Sequence, residues 1–352
     1  MKNRQSISSG AARNHHAGCG TRCSVFLALL GLLVALAACA PVEESRSTFA
    51  LGTVCTVSLF ENGTNDLYTA LFDRLAAIET VMSANELADG RISELSRVNQ
   101  NAGIRPVAVS GELITVLSRA LFFAEITGGA FNPAVGPLVA VWNIGAENAR
   151  LPEEHEIAAA LALVNHRDVV VDAANQTVYL KREGMRLDLG GIAKGYAADE
   201  LVTILKEADV RRAVIDLGGN IYAHGSKTPT QKWRIGIQNP LSPRGEYLAV
   251  EEAADKTLVT SGVYERFFEE NGICYHHILD PKTGYPADSG LLSVTVIAEN
   301  SLDADALSTA LFVLGYEQGS SLLSRFPGPG IEAVFVFSDA TVKRASTVPA
   351  EQ

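Results

Sequence analysis

Positive charge, aromatic rings and sulfur are all in short supply in this sequence. Forty acidic residues stand against 29 Lys and Arg, a formal charge of −11 over 352 residues, and no basic run breaks the pattern. Nucleic-acid binding is dominated by Lys and Arg neutralising phosphates, so that class of partner is set aside. Thirteen Phe, nine Tyr and two Trp leave no broad stacking surface. No CxxC pair or spaced His/Cys cluster suggests zinc, and there is no Gly-x-Ser-x-Gly elbow, Walker loop or GxGxxG. Past the N-terminus no apolar run reaches the ~18–20 residues that span a bilayer. With 47% apolar residues, 20% charged, 30 Gly and 13 Pro, the chain has an ordinary globular profile rather than a disordered, collagen-like or coiled-coil one.

One apolar run does stand out, at the start. Lys2, Arg4, Arg13 and Arg22 precede the uncharged stretch 25–38 (VFLALLGLLVALAA), which ends at Cys39. A positive segment, an apolar segment and small residues at a cleavage point describe an export signal. Leu36-Ala37-Ala38-Cys39 resembles a bacterial lipobox, in which the Cys is lipidated. The alternatives are an uncleaved anchor or an ordinary signal peptide. The expected organisation is a signal over 1–38, the lipidated Cys39 with a tether over 39–47, and one folded domain over 48–345. Loss of the signal removes four of the 29 bases and leaves 25 against 40 acids, about −15. So acidic a domain is not drawn to anionic lipid by charge, and a lipid chain has to hold it there. The expected location is the extracytoplasmic (periplasmic) face of the cell membrane, inner rather than outer. Cys55 and Cys274 then remain, and the sequence leaves open whether they pair.

Along the domain, alternation predicts a strand over Phe49–Phe60, and helical spacing predicts helices over Leu67–Met82, Ser110–Thr127, Tyr196–Ala208 and Ser301–Leu314, the last stopped by Gly315. A strand or hairpin is expected over Asp168–Leu180, with Asn175 in its turn. Short strands are expected at Val214–Ala223, Trp233–Ile237, Thr257–Ser261, Leu292–Ala298 and Ala333–Phe337. Strands and helices mix without βαβ alternation, so the fold class is α+β, a single catalytic domain that could divide into two lobes.

Four segments concentrate Gly, Asp, His and Pro: 127–142 (TGGAFNPAVGPLVAVW), 187–199 (LDLGGIAKGYAAD), 216–225 (DLGGNIYAHG) and 275–286 (YHHILDPKTGYP). Asp188-Leu189-Gly190-Gly191 running into a helix suits an anion at helix N-terminal N–H groups, or simply a tight strand-to-helix turn. Asp305 and Thr309, four apart on a predicted helix, share a face and offer hard oxygen donors for Mg²⁺. The alternative for Asp305 is a helix-dipole charge. His276 and His277 precede a turn-forming Asp280-Pro281, where an imidazole can act as a general base or serve as a structural hydrogen bonder. Read from the residues alone, these features point to a Mg²⁺-dependent site for a phosphate-bearing ligand.

LGTVCTV, SELSRVN, GGAFNPAVGPLVAVW, LDLGGIAKGYAAD, IDLGGNIYAHG, IGIQNP, YHHILDPKTGYP and DADALSTALFVLG follow one another in this order. Together, over about residues 48–340, they resemble the ApbE family of bacterial flavin transferases. The resemblance implies an enzyme that uses Mg²⁺ and FAD as substrate, moves FMN to a threonine side chain of an acceptor flavoprotein through a phosphoester, and releases AMP. It implies acceptors among subunits of sodium-pumping NADH:quinone reductase and Rnf-type complexes. By motif, Leu51, Ala130, Phe131, Asn132, Asp188, Lys194 and Ile278 would contact FAD. Gly191 (through its carbonyl), Asp305 and Thr309 would hold the metal, and His277 would assist proton transfer, with Asp305 also catalytic. Leu51 replaces the family's usual Met, Asn132 its usual Asp, and Asn85 falls near a position where an aromatic ring stacks on flavin. The competing readings are an FAD pyrophosphatase giving FMN and AMP, and an FAD-binding lipoprotein without turnover.

Overall fold

The computed structural model describes residues 44–87, 89–243, 245–326 and 330–347; the expected signal and Cys39 lie outside them. In chain order the elements are β1 (Glu44–Ala50), β2 (Thr53–Leu59), α1 (Asn65–Met82), α2 (Glu94–Gln100), β3 (Val107–Ala108), α3 (Gly111–Ile126), α4 (Gly136–Trp142) and α5 (Glu154–Leu161). Then come β4 (Val169–Asp172), β5 (Thr177–Leu180), α6 (Ala193–Glu207), β6 (Ala213–Leu217), β7 (Asn220–His224), β8 (Trp233–Gln238), β9 (Tyr247–Ala253) and β10 (Lys256–Gly262). The chain closes with β11 (Phe267–Glu270), β12 (Ile273–His276), β13 (Leu291–Ala298), α7 (Ser301–Leu323), β14 (Glu332–Phe337) and β15 (Val342–Ser346).

Eight strands form one antiparallel sheet in the order β1-β2-β6-β7-β10-β13-β14-β15. The main core packs α1, α3, α6 and α7 with the sheet, through residues such as Leu71, Leu75, Leu117, Leu201, Leu307 and Leu311 beside Val57, Ile215, Val259 and Val294. A second apolar cluster joins the β8–β9 ribbon, through Trp233, Ile237 and Ala253, to Ala223, Leu258, Ile297 and Val334 of the sheet. A third gathers Leu138 and Trp142 of α4, Ile157 and Ala160 of α5, and Leu279, flanked by Phe268 and Tyr275 of the β11–β12 hairpin. This is the α+β single domain the sequence indicates.

Local signals explain where the helices start. Thr64, Ser110 and Asn300 each precede a helix, and their side-chain oxygens accept N–H groups of Leu67, Leu113 and Asp303, satisfying donors that a first helical turn leaves without partners. The α1 stripe of Leu71, Leu75, Ile78 and Met82 is buried as its spacing predicts. On α3, Leu113, Val116 and Leu117 are buried, while Leu121 and Phe122 are only partly so and Phe123 takes the inner position.

Several expectations need correction. Residues 44–47, assigned to the tether, already belong to β1. The single strand over Phe49–Phe60 is a hairpin: Ala50 pairs with Thr53, and Leu51 and Gly52 form the turn with φ of 53° and 71°, the double positive φ of a tight type I′ hairpin. The strand over Val214–Ala223 is likewise β6 and β7, turned at Gly218-Gly219. A two-residue turn does not disturb alternation of apolar residues, so each hairpin reads as one strand. Finally, Gly315 does break the helical backbone (φ 71°, ψ 179°), but α7 resumes and runs to Leu323.

Candidate functional site

The site is organised by the crossing of α6 and α7. At Gly195 the two backbones approach so closely that a Cβ there would lie 2.2 Å from the Ser301 carbonyl oxygen. Across this contact each helix start is held by a carboxylate from the other helix. Asp305 of α7 accepts the Gly195 N–H of α6 through Oδ2 at 2.8 Å. Asp199 of α6 accepts the Ser301 and Leu302 N–H groups of α7, each at 2.9 Å. Asp305 is buried and Asp199 partly so, and loss of water contact raises both pKa values. That of Asp199 is pushed up to about 6 against the pull of its two N–H donors. Asp305 is also raised, with the Lys194 charge and the backbone N–H groups of Gly195 and Lys194 opposing the shift. A carboxylate kept out of water at the start of a helix gains from the N–H groups and dipole there, but it remains a strong attractor for a cation.

Of the residues expected to hold the metal, Asp305 and Thr309 lie on α7 at this crossing and Gly191 lies just before α6. Thr309 lies one turn beyond Asp305, and a Cβ built on Gly191 would lie 3.1 Å from Thr309 Oγ1 and 3.2 Å from the Phe131 ring. Absence of a side chain at Gly191 therefore keeps a small space open beside the hydroxyl. Ser261 of β10 braces this wall, with its Oγ 2.8 Å from Ser308 Oγ and 3.4 Å from Thr309 Oγ1. No group of three His, Cys, Asp or Glu gathers among the described residues. One buried carboxylate, one hydroxyl and main-chain carbonyls form a hard, all-oxygen set, which fits Mg²⁺ completed by water and phosphate and does not suit zinc.

The nucleotide-contact candidates lie on two segments joined by main-chain bonds. Phe131 N–H donates to Thr127 Oγ1, and Asn132 Oδ1 accepts the Ala134 N–H. The Pro133 carbonyl accepts the Asp188 N–H at 2.8 Å, which ties Ala130, Phe131 and Asn132, all buried, to the Asp188 turn. Asp188 Oδ1 accepts the Gly190 N–H, and Lys194 Nζ reaches the Gly190 carbonyl at 3.3 Å. The Asn99 amide pins the preceding residue twice, donating to the Leu187 carbonyl and accepting its N–H. Asn99 also lines a cavity of about 500 Å³ with Asn85, Glu86, Ile92, Gln100 and Arg186. No aromatic residue lines this cavity, so the Asn85 departure is not made good there.

His277 faces the site from the loop after β12. Its N–H and Nδ1 are 3.0 and 3.3 Å from the Arg266 carbonyl. A carbonyl only accepts, so this contact places the proton on Nδ1 and leaves Nε2 with its lone pair. Burial, then the Arg266 and Lys194 charges, hold the imidazole down at about 4, neutral at physiological pH. His276 differs: Nε2 donates to the Ala287 carbonyl, Nδ1 accepts the Ile278 N–H, and the ring packs on Phe312. It is a structural histidine. Ile278 is buried beside it. Trp142 Nε1 donates to the Gly284 carbonyl and fixes the far end of this loop. Leu51 stands apart from the other candidates: its N–H goes to Glu79, and its turn joins the His loop through Arg266, which donates to the Gly52 carbonyl at 2.9 Å. Cys55 is buried and Cys274 exposed, and both are free thiols; burial pushes the Cys55 thiol up to about 11, so neither a disulfide nor a thiolate nucleophile arises.

Sequence reasoning missed Asp199, Asn99 and Arg266. Asp199 was discoverable, because it lies four residues after Gly195 and so on the same helical face. The roles of Asn99 and Arg266 depend on distant backbone groups and have no local signature.

The ApbE family profile matches residues 51–335. An FAD:protein FMN transferase of Treponema pallidum is 42% identical over 323 residues, covering 87% of this chain and 88% of the relative. One from Klebsiella pneumoniae is 36% identical, covering 83% and 88%. The crystal structure of the ApbE protein of Thermotoga maritima superimposes with a TM-score of 0.78 at 33% identity, covering 87% of this chain and 98% of that one. The flavin transferase ApbE from Vibrio cholerae gives 0.74 at 28%, covering 87% and 98%. This chain belongs to the ApbE family.

Proposed function

We propose that this protein transfers FMN from FAD to a threonine hydroxyl of an acceptor protein, releasing AMP. The observation that carries this reading is the α6–α7 crossing, where a buried carboxylate feels the charge of Lys194, which also bears on a neutral histidine, and where Gly191 lies against the Thr309 hydroxyl. In the reaction, the acceptor oxygen forms a bond to the FMN phosphorus while the bridging P–O bond breaks and its electron pair leaves with AMP. The hydroxyl proton passes to His277 Nε2, whose tautomer is held by the Arg266 carbonyl. An anionic diphosphate arriving beside this imidazole raises its basicity toward the working range. Asp305, Thr309 and the Gly191 carbonyl would hold Mg²⁺, whose chemistry is to neutralise charge on the diphosphate and the departing AMP. Lys194 adds a second positive charge at the α6 start. Leu51, Ala130, Phe131, Asn132, Asp188 and Ile278 are assigned to the flavin nucleotide.

Export and lipidation at Cys39 would place this chemistry on the extracytoplasmic face of the membrane, inner rather than outer. The expected acceptors are membrane redox subunits of the sodium-pumping NADH:quinone reductase or Rnf type. Incubation with FAD, Mg²⁺ and a threonine-containing acceptor peptide tests the reading. Flavin fluorescence that stays with the denatured peptide supports transfer. FMN and AMP without labelling support a pyrophosphatase, and intact FAD supports binding without turnover.

A further inference from the structure

Among the described residues Arg266 forms no ion pair with a carboxylate, although most of the arginines in those residues do. Within the same residues its guanidinium makes one side-chain hydrogen bond, to the Gly52 carbonyl at 2.9 Å. Two glycines give it room. A Cβ on Gly52 would lie 3.0 Å from Nη2, and one on Gly145 would lie 3.2 Å from Cδ; both glycines have positive φ. The side chain thus rests in a slot between the β1–β2 turn and the loop after α4, with its residue exposed. Its backbone carbonyl holds His277, and its charge, with that of Lys194, bears on the same imidazole. Both cations bear on one neutral base, and among the described residues Arg266 enters no ion pair.

We propose that the Arg266 guanidinium binds phosphate oxygens of the dinucleotide substrate. This assignment rests on the transferase reading above and adds to it a substrate-binding residue. A guanidinium presents a planar fork of donors that matches a phosphate, stays charged at any working pH, and stabilises charge that grows on phosphoryl oxygens during transfer. Arg266 would therefore link three parts of the site: the Leu51-Gly52 turn through Nη2, the base through its carbonyl, and the substrate through its remaining donors.

The test uses Arg266→Gln and Arg266→Lys in the full chain, with binding of FMN and of riboflavin followed by flavin fluorescence alongside FAD turnover. The two ligands differ only by the phosphate. Arg266→Gln is expected to weaken FMN binding at least tenfold, leave riboflavin binding within twofold, and lower kcat/KM for FAD by roughly 100-fold, the scale seen when one charge-stabilising donor is removed. Arg266→Lys should recover part of the FMN affinity and less of the turnover. A purely structural clamp on Gly52 would weaken both ligands alike, and that result overturns the proposal. So does unchanged FMN affinity in Arg266→Gln with wild-type turnover. If instead the wild-type protein leaves FAD intact, the transferase reading falls with it; selective loss of FMN binding in the variant then still identifies Arg266 as a phosphate ligand.

Discussion

Replacing Gly195 with alanine sets two effects of opposite sign against each other. In a helix interior Ala is favoured over Gly by about 1 kcal/mol, so α6 in isolation would gain. In the folded protein the new Cβ would stand 2.2 Å from the Ser301 carbonyl oxygen and 2.7 Å from Leu302 Cα. An ordinary carbon–oxygen approach is about 3.3 Å or more, so the helices must part by about 1 Å. The three charge-assisted bonds across the crossing, at 2.8, 2.9 and 2.9 Å, would then stretch beyond hydrogen-bonding range. Each is worth about 1.5–3 kcal/mol. With partial relaxation the net loss is about 2–4 kcal/mol, which outweighs the helix-propensity gain. The same movement displaces Asp305 and Thr309 relative to Gly191, and a 1 Å error in a catalytic site costs on the order of 100-fold in rate. Equilibrium urea unfolding, together with FAD turnover across a Mg²⁺ titration, measures both losses. A Gly195→Ala protein that is as stable as wild type and half-saturates at the same Mg²⁺ concentration would refute the argument that this contact builds the site.

Other consequences follow from the same geometry. Asp305→Ala should abolish turnover at any Mg²⁺ concentration, and chelation of divalent cations should do the same to wild type; appreciable activity in either case, measured as AMP release, removes Asp305 from the metal site. Asn99→Ala frees both main-chain groups of Leu187, should cost about 1–2 kcal/mol of stability, and should raise KM for FAD more than it lowers kcat. Asp199 and His277 make opposed contributions to the pH dependence of stability, beside that of the raised Asp305. Asp199, raised from 3.8 to about 6, stabilises below pH 4 and loses that stabilisation as pH rises through 6. His277, lowered from 6.5 to about 4, stabilises above pH 6.5 and loses that as pH falls through 4. Each shift of about two units corresponds to about 3 kcal/mol, so these two contributions largely offset each other. Relative to wild type, Asp199→Asn should lose more stability as pH falls from 6.5 to 4, and His277→Gln should lose less. Parallel pH profiles for the two variants in chemical unfolding would contradict this.

The periodic parts of the molecule could be read directly. The α1 stripe and the four-residue spacing of Asp305 and Thr309 depend only on helix geometry, and the structure places them as expected, as it does the first two turns of α3 before Phe123 takes the inner position from Leu121 and Phe122. Both hairpins escaped notice because a two-residue turn preserves alternation, and only the positive φ of Leu51, Gly52, Gly218 and Gly219 reveals it. The run of α7 past Gly315 escaped for another reason: Gly319 and Leu323 are held by tertiary packing, with Gly319 against Leu311 and Phe335. The reciprocal carboxylates of α6 and α7 involve residues about a hundred positions apart, and the Gly52–Arg266 bond spans 214. Their chemistry was visible as residue types, but their pairing came only with the fold.

The fate of the two halves of FAD is the most direct test of FMN transfer. With Mg²⁺ and an acceptor peptide present, mass spectrometry of the peptide and quantification of nucleotides should give one AMP released for every FMN attached, with the peptide heavier by FMN less one water and the link on a threonine. Flavin attached with its adenylate still in place, or AMP formed with no gain in peptide mass, would contradict it.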